Sequence, residues 1–515
     1  MKKILTKIFS PVTFTALLVL IQFAILIFAI YLANTYIWII QVIFEIIAIP
    51  VAIIIINSKA DNNYKITWLF FDVVTPIFGT IFYLLFANKK FTKKEKKIVK
   101  PIKDTINSFT SSNTYIEKIN LDKEEKGYSV AKYIQNYGLS CLYSNSEVKF
   151  FCWGEDAFPY MLEKLKSAKK YIFLEYFIIH PGKMWNSILD ILIQKAKEGL
   201  DVRVIYDDFG CLSTLPKNYY KKLNSYGIKS FAFNKIKPIL DIRNNNRDHR
   251  KILVIDGYIG FSGGINLADE YINEEIRFGK WKDNAIMIEG EAVFSLTTLF
   301  LSIWHIFYEK DKFPSLEYYR PNNFLPDGYN LKKDGFIQPY GSVPYDVEAI
   351  GHNVYLKMIN CATKYIYIST PYLILNQEMQ DALTLAAKSG VDVRILVPGI
   401  PDKKLIFEVT RSYYRSLIES GVKIYEYEPG FVHGKVFLVD DIMGTVGTVN
   451  LDYRSLFLHF ENGTFIYKAS CLKDIYNDFN HSFALSKNIS LDSCIKTNVF
   501  RKLFRILLRI FSPLL

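Results

Sequence analysis

The sequence predicts an α/β protein of two duplicated domains with a shared interdomain active site, preceded by N-terminal transmembrane helices. Three observations predict it. The chain repeats itself: SAKKYIFLEYFII, AKEGLDVRVIYDDFG and LNSYGIKSFAF recur as CATKYIYISTPYLIL, AAKSGVDVRILVPG and LIESGVKIYEYE. Helical and β-rich stretches alternate within each copy, which implies α/β units with a mostly parallel sheet. Each copy also carries the pattern H-x-K-x4-D-x6-G-x-x-N. A period of roughly 190 residues is too long for a solenoid. It fits two domains with a site between them that draws residues from both.

The N-terminus comes first. Residues 12–31, 36–56 and 68–86 are apolar runs close to the length that crosses a bilayer core. Lysines lie before the first, between the second and third, and densely after the third (Lys89 to Lys103). The positive-inside rule puts all three places in the cytoplasm, which three full spans cannot satisfy. The expectation is a spanning hairpin from the first two runs, with the third, carrying Asp72 and Pro76, re-entrant or interfacial. The predicted organisation is membrane segments over 1–88, a Lys-rich linker over 89–130, a first domain over 131–310, a connector over 311–345, a second domain over 346–485 and a terminal helix over 486–515. In that last segment Arg501, Arg505 and Arg509 recur every four residues among apolar neighbours. This predicts a basic amphipathic helix on an anionic membrane surface.

Within each copy a helix ends at Gly199 or Gly390, a natural stop, and a β-rich run follows. The motif comes next. The candidate catalytic set is His249, Lys251 and Asp256 in the first copy and His433, Lys435 and Asp440 in the second. In a strand, residues i and i+2 share a face, so each His projects with its Lys. Two His, two Lys, and Asn266 and Asn450 converging between the copies suit a phosphodiester. Lys and Asn stabilise charge on the non-bridging oxygens, one imidazole attacks phosphorus and the other protonates the leaving oxygen. No metal or other cofactor is expected, because lysines so close by oppose a cation and supply its charge themselves. An imidazole that attacks or gives up a proton needs a partner to fix its tautomer. Asp283 and Glu461, each opening a later strand, are the expected orienting carboxylates. Asp256 and Asp440 end the first strands and are read as holding local structure. His180, His305, His352, His459 and His481 lack a repeated context and read as structural or surface residues. The six Cys lie far apart with no CxxC pair, which offers no zinc or redox motif.

With its paired HxKxxxxD motifs, the sequence resembles the phospholipase D superfamily and, within it, the bacterial cardiolipin synthases. PIFGTIFYLLF, GFSGGINLADEY, TPYLILNQEMQDAL, YEYEPGFVHGK and NLDYRSLFLHFENG carry the resemblance over nearly the whole chain. It implies two phospholipase D-like α/β domains at the bacterial cell membrane, and the lysine distribution puts the catalytic domains in the cytoplasm. It implies transfer of a phosphatidyl group from one phosphatidylglycerol to another, giving cardiolipin and glycerol through a phosphatidyl-histidine. His249 is the expected nucleophile and His433 the general acid, roles that sequence symmetry leaves exchangeable. The rivals are a hydrolytic phospholipase D or a transferase using another alcohol, a nuclease of the same superfamily, and an inactive membrane scaffold.

The formal charge of +12 on 515 residues helps to choose. Residues 89–103 carry +7, residues 498–515 carry +4 and residues 1–88 carry +2, so residues 104–497 are close to neutral at −1. A nuclease would want its charge on the catalytic body. The expected partners are therefore phosphatidylglycerol and anionic membrane lipids, not nucleic acid.

Overall fold

The computed structural model describes residues 23–24, 26–28, 37–86, 93–112, 125–138, 140–235, 245–308, 315–330, 332–344 and 348–514. The chain divides into two compact units: Met1–Lys90 with Lys235–Asn246 and Leu514, and Phe91–Asn234 with Arg247–Pro513 and Leu515.

In the first unit, helices run over Ile37–Asn57, Asn62–Val74 and Pro76–Phe86. Asp61 caps the second, accepting from the N–H groups of Asn63 and Tyr64. The third apolar run breaks at Thr75, because Pro76 disfavours a helical residue before it. Asp72 is buried and accepts a hydrogen bond from Thr80 Oγ1 at 2.6 Å. Among the described residues no helix is long and apolar enough to cross a membrane. The run 12–31 lies almost wholly outside them, as do the side chains of Ile37, Trp38 and Ile40.

The second unit holds both copies of the repeat. Its first sheet contains β1 (Ser146–Phe151), β2 (Tyr171–Tyr176), β3 (Asp201–Asp207), β4 (Lys229–Phe233), β5 (Lys251–Ile255) and β6 (Ile259–Gly263). After the short strand β7 (Lys280–Lys282), β8 (Ala285–Gly290) completes it, in the order β1-β8-β6-β5-β2-β3-β4. The second sheet contains β9 (Phe336–Ser342), β10 (Tyr365–Ser369), β11 (Asp392–Pro398) and β12 (Lys423–Tyr427). Beyond the short β13 (Gly430–Val432) come β14 (Val436–Val439), β15 (Met443–Gly447), β16 (Glu461–Tyr467) and β17 (Ser486–Asn488), in the order β17-β12-β11-β10-β14-β15-β16-β9.

The sheets are mixed, which corrects the expectation of mostly parallel ones. Only β2-β3-β4 and β10-β11-β12 pair in parallel within them. The motif strands β5 and β14 pair antiparallel with both neighbours. The reason is local: β5–β6 and β14–β15 are joined by tight turns, which connect only antiparallel strands. Asp256, Asp440 and Asp441 take positive φ there (49°, 53° and 61°). The helix stops are as expected, with Gly199 and Gly390 at φ of 89° and 92° just past helices Lys183–Lys197 and Gln377–Lys388.

Two terminal segments differ from expectation. The Lys-rich linker contains a helix over Lys93–Ser112. Its Val99, Ile102 and Ile106, one face at helical spacing, are buried in a core shared with helix Val293–Phe307. The lysine density had masked that stripe. The arginines of the C-terminal helix Val499–Phe511 reach partners on the protein body, with Arg501 exposed and Arg505 and Arg509 half-buried. Arg505 Nε lies 2.7 Å and Arg501 Nε 3.1 Å from Glu408 Oε2, and the Arg509 guanidinium sits 4.2 Å from the Tyr413 ring centroid. Against the burial that would raise it, the two guanidiniums pull the Glu408 carboxyl down to about 2. The apolar residues Phe500, Leu503 and Leu507 are exposed. Arg501 and Arg505 thus pair with the protein body, where Glu408 offers them a partly buried partner.

Candidate active site

The two motifs meet through their backbones. His249 N–H donates to the Phe460 carbonyl at 2.9 Å, and His433 N–H donates to the Lys282 carbonyl at 2.7 Å. Each acceptor immediately precedes an expected carboxylate. Each His therefore lies against the carboxylate of the other copy. His249 Nδ1 is 3.0 Å from both oxygens of Glu461, and His433 Nδ1 is 2.6 Å from Asp283 Oδ2.

All four side chains are buried. Burial pushes His249 down to about 3 and His433 to about 4, in the second case with Lys435 adding to it. Burial opposes ionisation of the two acids, but His433 and Lys435 hold Asp283 below its usual range, and His249 with His459 does the same for Glu461. Both pairs thus rest as neutral imidazole and carboxylate. Nδ1 must then carry the proton and donate it, which leaves each Nε2 lone pair free.

Lys251 Nζ donates to the His249 carbonyl at 2.7 Å, and Lys435 Nζ makes the same bond to His433. Burial lowers these lysines to about 7 and about 8. Such groups charge fully only when an anion arrives to pay for desolvation.

The remaining expected residues fall in two places. Asn266 Oδ1 accepts from Ile178 N–H at 3.0 Å, and its Nδ2 donates to Tyr271 OH at 2.7 Å, which leaves one Nδ2 hydrogen. Asn450 Oδ1 is buried without a hydrogen-bond partner among the described residues. Asp256 and Asp440 do not join the site, which corrects their place in the catalytic set. Asp256 takes the N–H groups of Lys169, Lys170 and Tyr171 at 2.7–2.9 Å. Asp440 takes those of Thr363, Lys364 and Tyr365, with Lys126 Nζ at 2.9 Å. Both carboxylates pin the start of a neighbouring strand at the end of the motif strand away from the His.

Several contributors carry no motif signature. Ser455 and Thr448 donate to Glu461. Asn462 accepts from Lys251 N–H at 3.3 Å and donates to Ser262 Oγ at 2.7 Å, tying β16 to the first motif hairpin. Its counterpart Asn284 donates to Asp478. The sequence did hold a signal for these two: each orienting acid is followed by Asn. His459 Nδ1 lies 3.8 Å from Glu461, so His249, His459 and Glu461 bring three potential metal-ligand atoms within 4.8 Å of one another. Lys251, which acts on His249 electrostatically, disfavours a cation there. Aromatic rings wall the site: Phe177 packs 5.1 Å from His249, and Tyr271 and Trp281 pack 5.4 and 5.5 Å from His433.

A duplicated mixed-sheet body with paired His and Lys in its seam is a phospholipase D-type fold. The comparisons agree. The family model "Cardiolipin synthase, PLD-like domain" matches residues 161–304 and 355–483. The chain belongs to this cardiolipin synthase family. A cardiolipin synthase of Alkalihalophilus pseudofirmus is 34% identical over 96% of this chain and 99% of its own length. An uncharacterised protein of Streptococcus mutans is 43% identical over 90% of this chain and 98% of its own. The crystal structure of a phosphatidylserine synthase from Haemophilus influenzae covers 76% of this chain and 98% of its own, with TM-score 0.54 and 17% identity, a likeness of fold.

Proposed function

We propose that the protein is a cardiolipin synthase, a phosphatidyltransferase that joins two phosphatidylglycerol molecules and releases glycerol. The observation that carries this reading is the pair of crossed imidazole–carboxylate contacts with a buried lysine beside each. In the first step His249 Nε2 attacks phosphorus, the bond to the glycerol oxygen breaks, and His433 gives that oxygen a proton. In the second step His433 takes the proton from a hydroxyl of a second phosphatidylglycerol. That oxygen attacks phosphorus, the P–N bond breaks and His249 is restored. Lys251, Lys435, Asn266 and Asn450 face the charge on the non-bridging oxygens. The anionic phosphodiester raises both imidazoles toward the charged form and so supplies the protonated state the acid needs.

The membrane reading belongs to the same proposal. The apolar N-terminal runs hold the chain at the bacterial cell membrane, and the catalytic body faces the cytoplasm. The break of the third run into helices of 13 and 11 residues, with Asp72 satisfied by Thr80, supports a re-entrant or interfacial path.

The test is labelled phosphatidylglycerol turned over by the full chain. Glycerol and cardiolipin are the expected products, and His249→Ala and His433→Ala each abolish them. Phosphatidic acid as the main product would instead make the protein a hydrolase, and unchanged output in both variants would sink the reading.

A further inference from the structure

The catalytic histidines are only 7% and 8% exposed. Large exposed apolar side chains stand on separate loops that touch the rings beside them. Phe209 follows β3 and is 49% exposed; Ile400 follows β11 and is 41% exposed. They occupy equivalent places in the repeat, YDDFG against VPGIP. Each loop touches a wall of the site. The Phe209 loop packs on Phe177, the ring against His249, with Gly210 closing on the Phe177 backbone. Ile400 N–H donates to the Gly430 carbonyl, next to Phe431, whose ring packs against His433. Ile276, 83% exposed, sits on the loop between Tyr271 and Trp281, the two other rings on His433. The Gly279 backbone of that loop lies against Ile400.

The same face continues outward. Leu405, 47% exposed, opens helix Lys404–Ser412, and Lys403 and Lys404 beside it are exposed. The pairing of Arg501 and Arg505 with Glu408, and of Arg509 with Tyr413, runs the C-terminal helix alongside in the same direction. Its most exposed apolar residue, Phe500 at 82%, thus lies at the end that carries Leu405.

We infer that this rim enters the acyl layer of the bilayer and seats the active-site mouth on the membrane, so that phosphatidylglycerol passes to the histidines headgroup first without leaving lipid. The inference rests on the proposed lipid substrate and adds the surface by which it is taken. The occupant is a lipid surface because the exposed apolar side chains stand on equivalent loops of the two copies, each against a ring beside a catalytic histidine. Exposed lysines at the edge suit anionic headgroups. A protein partner seated there would close the mouth.

Two measurements on the full chain in proteoliposomes test it. Ile276→Trp adds an emitter at the rim; lipids brominated in the acyl chain are expected to quench that added emission by more than about half, as for a ring buried below the headgroups. Quenching no greater than in the wild type overturns the inference, and altered sedimentation by the rim variants in that case would make the face a contact between copies. The triple variant Phe209→Ser, Ile276→Ser, Ile400→Ser is expected to lose about tenfold in glycerol release from long-chain phosphatidylglycerol in vesicles. It should stay within about twofold of wild type on monomeric short-chain phosphatidylglycerol, which needs no docking. Equal loss on both substrates, or none on vesicles, also overturns it. Quenching is read without turnover, so an inactive wild type would count against the proposed reaction and leave the docking result standing.

Discussion

Glu461 of the second copy holds His249 of the first, with Nδ1 3.0 Å from each carboxylate oxygen. Asp283 of the first copy returns the contact to His433 at 2.6 Å. Each carboxylate therefore acts through the imidazole of the other half. Glu461→Gln and Asp283→Asn should each lower glycerol release by about 10²–10⁴-fold with little change in KM. Double-mutant cycles on unfolding should show coupling of about 1–3 kcal/mol for His433 with Asp283 and little for His433 with Glu461. The reverse pattern would contradict the crossed assignment.

The pH dependence follows from the lysines. A lysine is charged below its pKa, and Lys251 and Lys435 lie at about 7 and about 8. As pH rises through that window the free enzyme loses positive charge facing the phosphate. The value of kcat/KM for glycerol release should fall more steeply above about pH 8 than below it, while kcat falls only at higher pH, because the bound anion favours the charged lysines. The histidines, at about 3 and about 4, should give the free enzyme no acidic limb near 6.5. A kcat/KM that climbs steadily through pH 8 would count against this.

Two glycines leave no space for a side chain. A Cβ on Gly264 would lie 2.0 Å from Asp283 Oδ1, and one on Gly434 would lie 2.0 Å from Asn284 Oδ1. Gly264→Ala should displace Asp283 from His433 and cost about 100-fold in activity, with about 1–3 kcal/mol of stability. Gly434→Ala should act similarly through Asn284. Turnover beside thermal unfolding checks both; full activity would mean that the Asp283 carboxylate, or in the second variant the Asn284 amide, has room to move.

Asp440 tests the structural role of the motif acids. Backbone and side-chain donors and Lys126 outweigh burial and hold it at about 2, below its ordinary 3.8. A depressed acid contributes stability that is present above the ordinary value and lost as pH falls toward the folded one. Asp440→Asn should cost about 2 kcal/mol at neutral pH in denaturant unfolding, and the gap should close toward pH 2. Activity should track the folded fraction.

Much of the site was legible because its chemistry is repeated. The paired motifs located His249, Lys251, His433 and Lys435, and equivalence in the repeat pointed to Asp283 and Glu461. Which acid serves which His was not legible, since strand order within one copy says nothing of contacts across the seam. Ser455 and Thr448 escaped because a hydroxyl near a carboxylate has no pattern in one dimension. The parallel bias of the sheets was overestimated because the tight turns after Asp256 and Asp440 were read as motif rather than as topology. The C-terminal helix was recognised as amphipathic, but its orientation depended on Glu408, far away in sequence.

The bonds from His249 to Phe460 and from His433 to Lys282 are the same contact made twice, as between identical units around a two-fold axis. Two separate identical chains would have to carry the same residue at both equivalent positions, and any change would strike both together. Covalent fusion removes that constraint. Arg250 against Gly434, Gly264 against Thr448 and Asp283 against Glu461 mark places where the copies have parted. A single chain can fit one imidazole to attack and the other to carry the proton, a division of labour closed to a strictly symmetric pair.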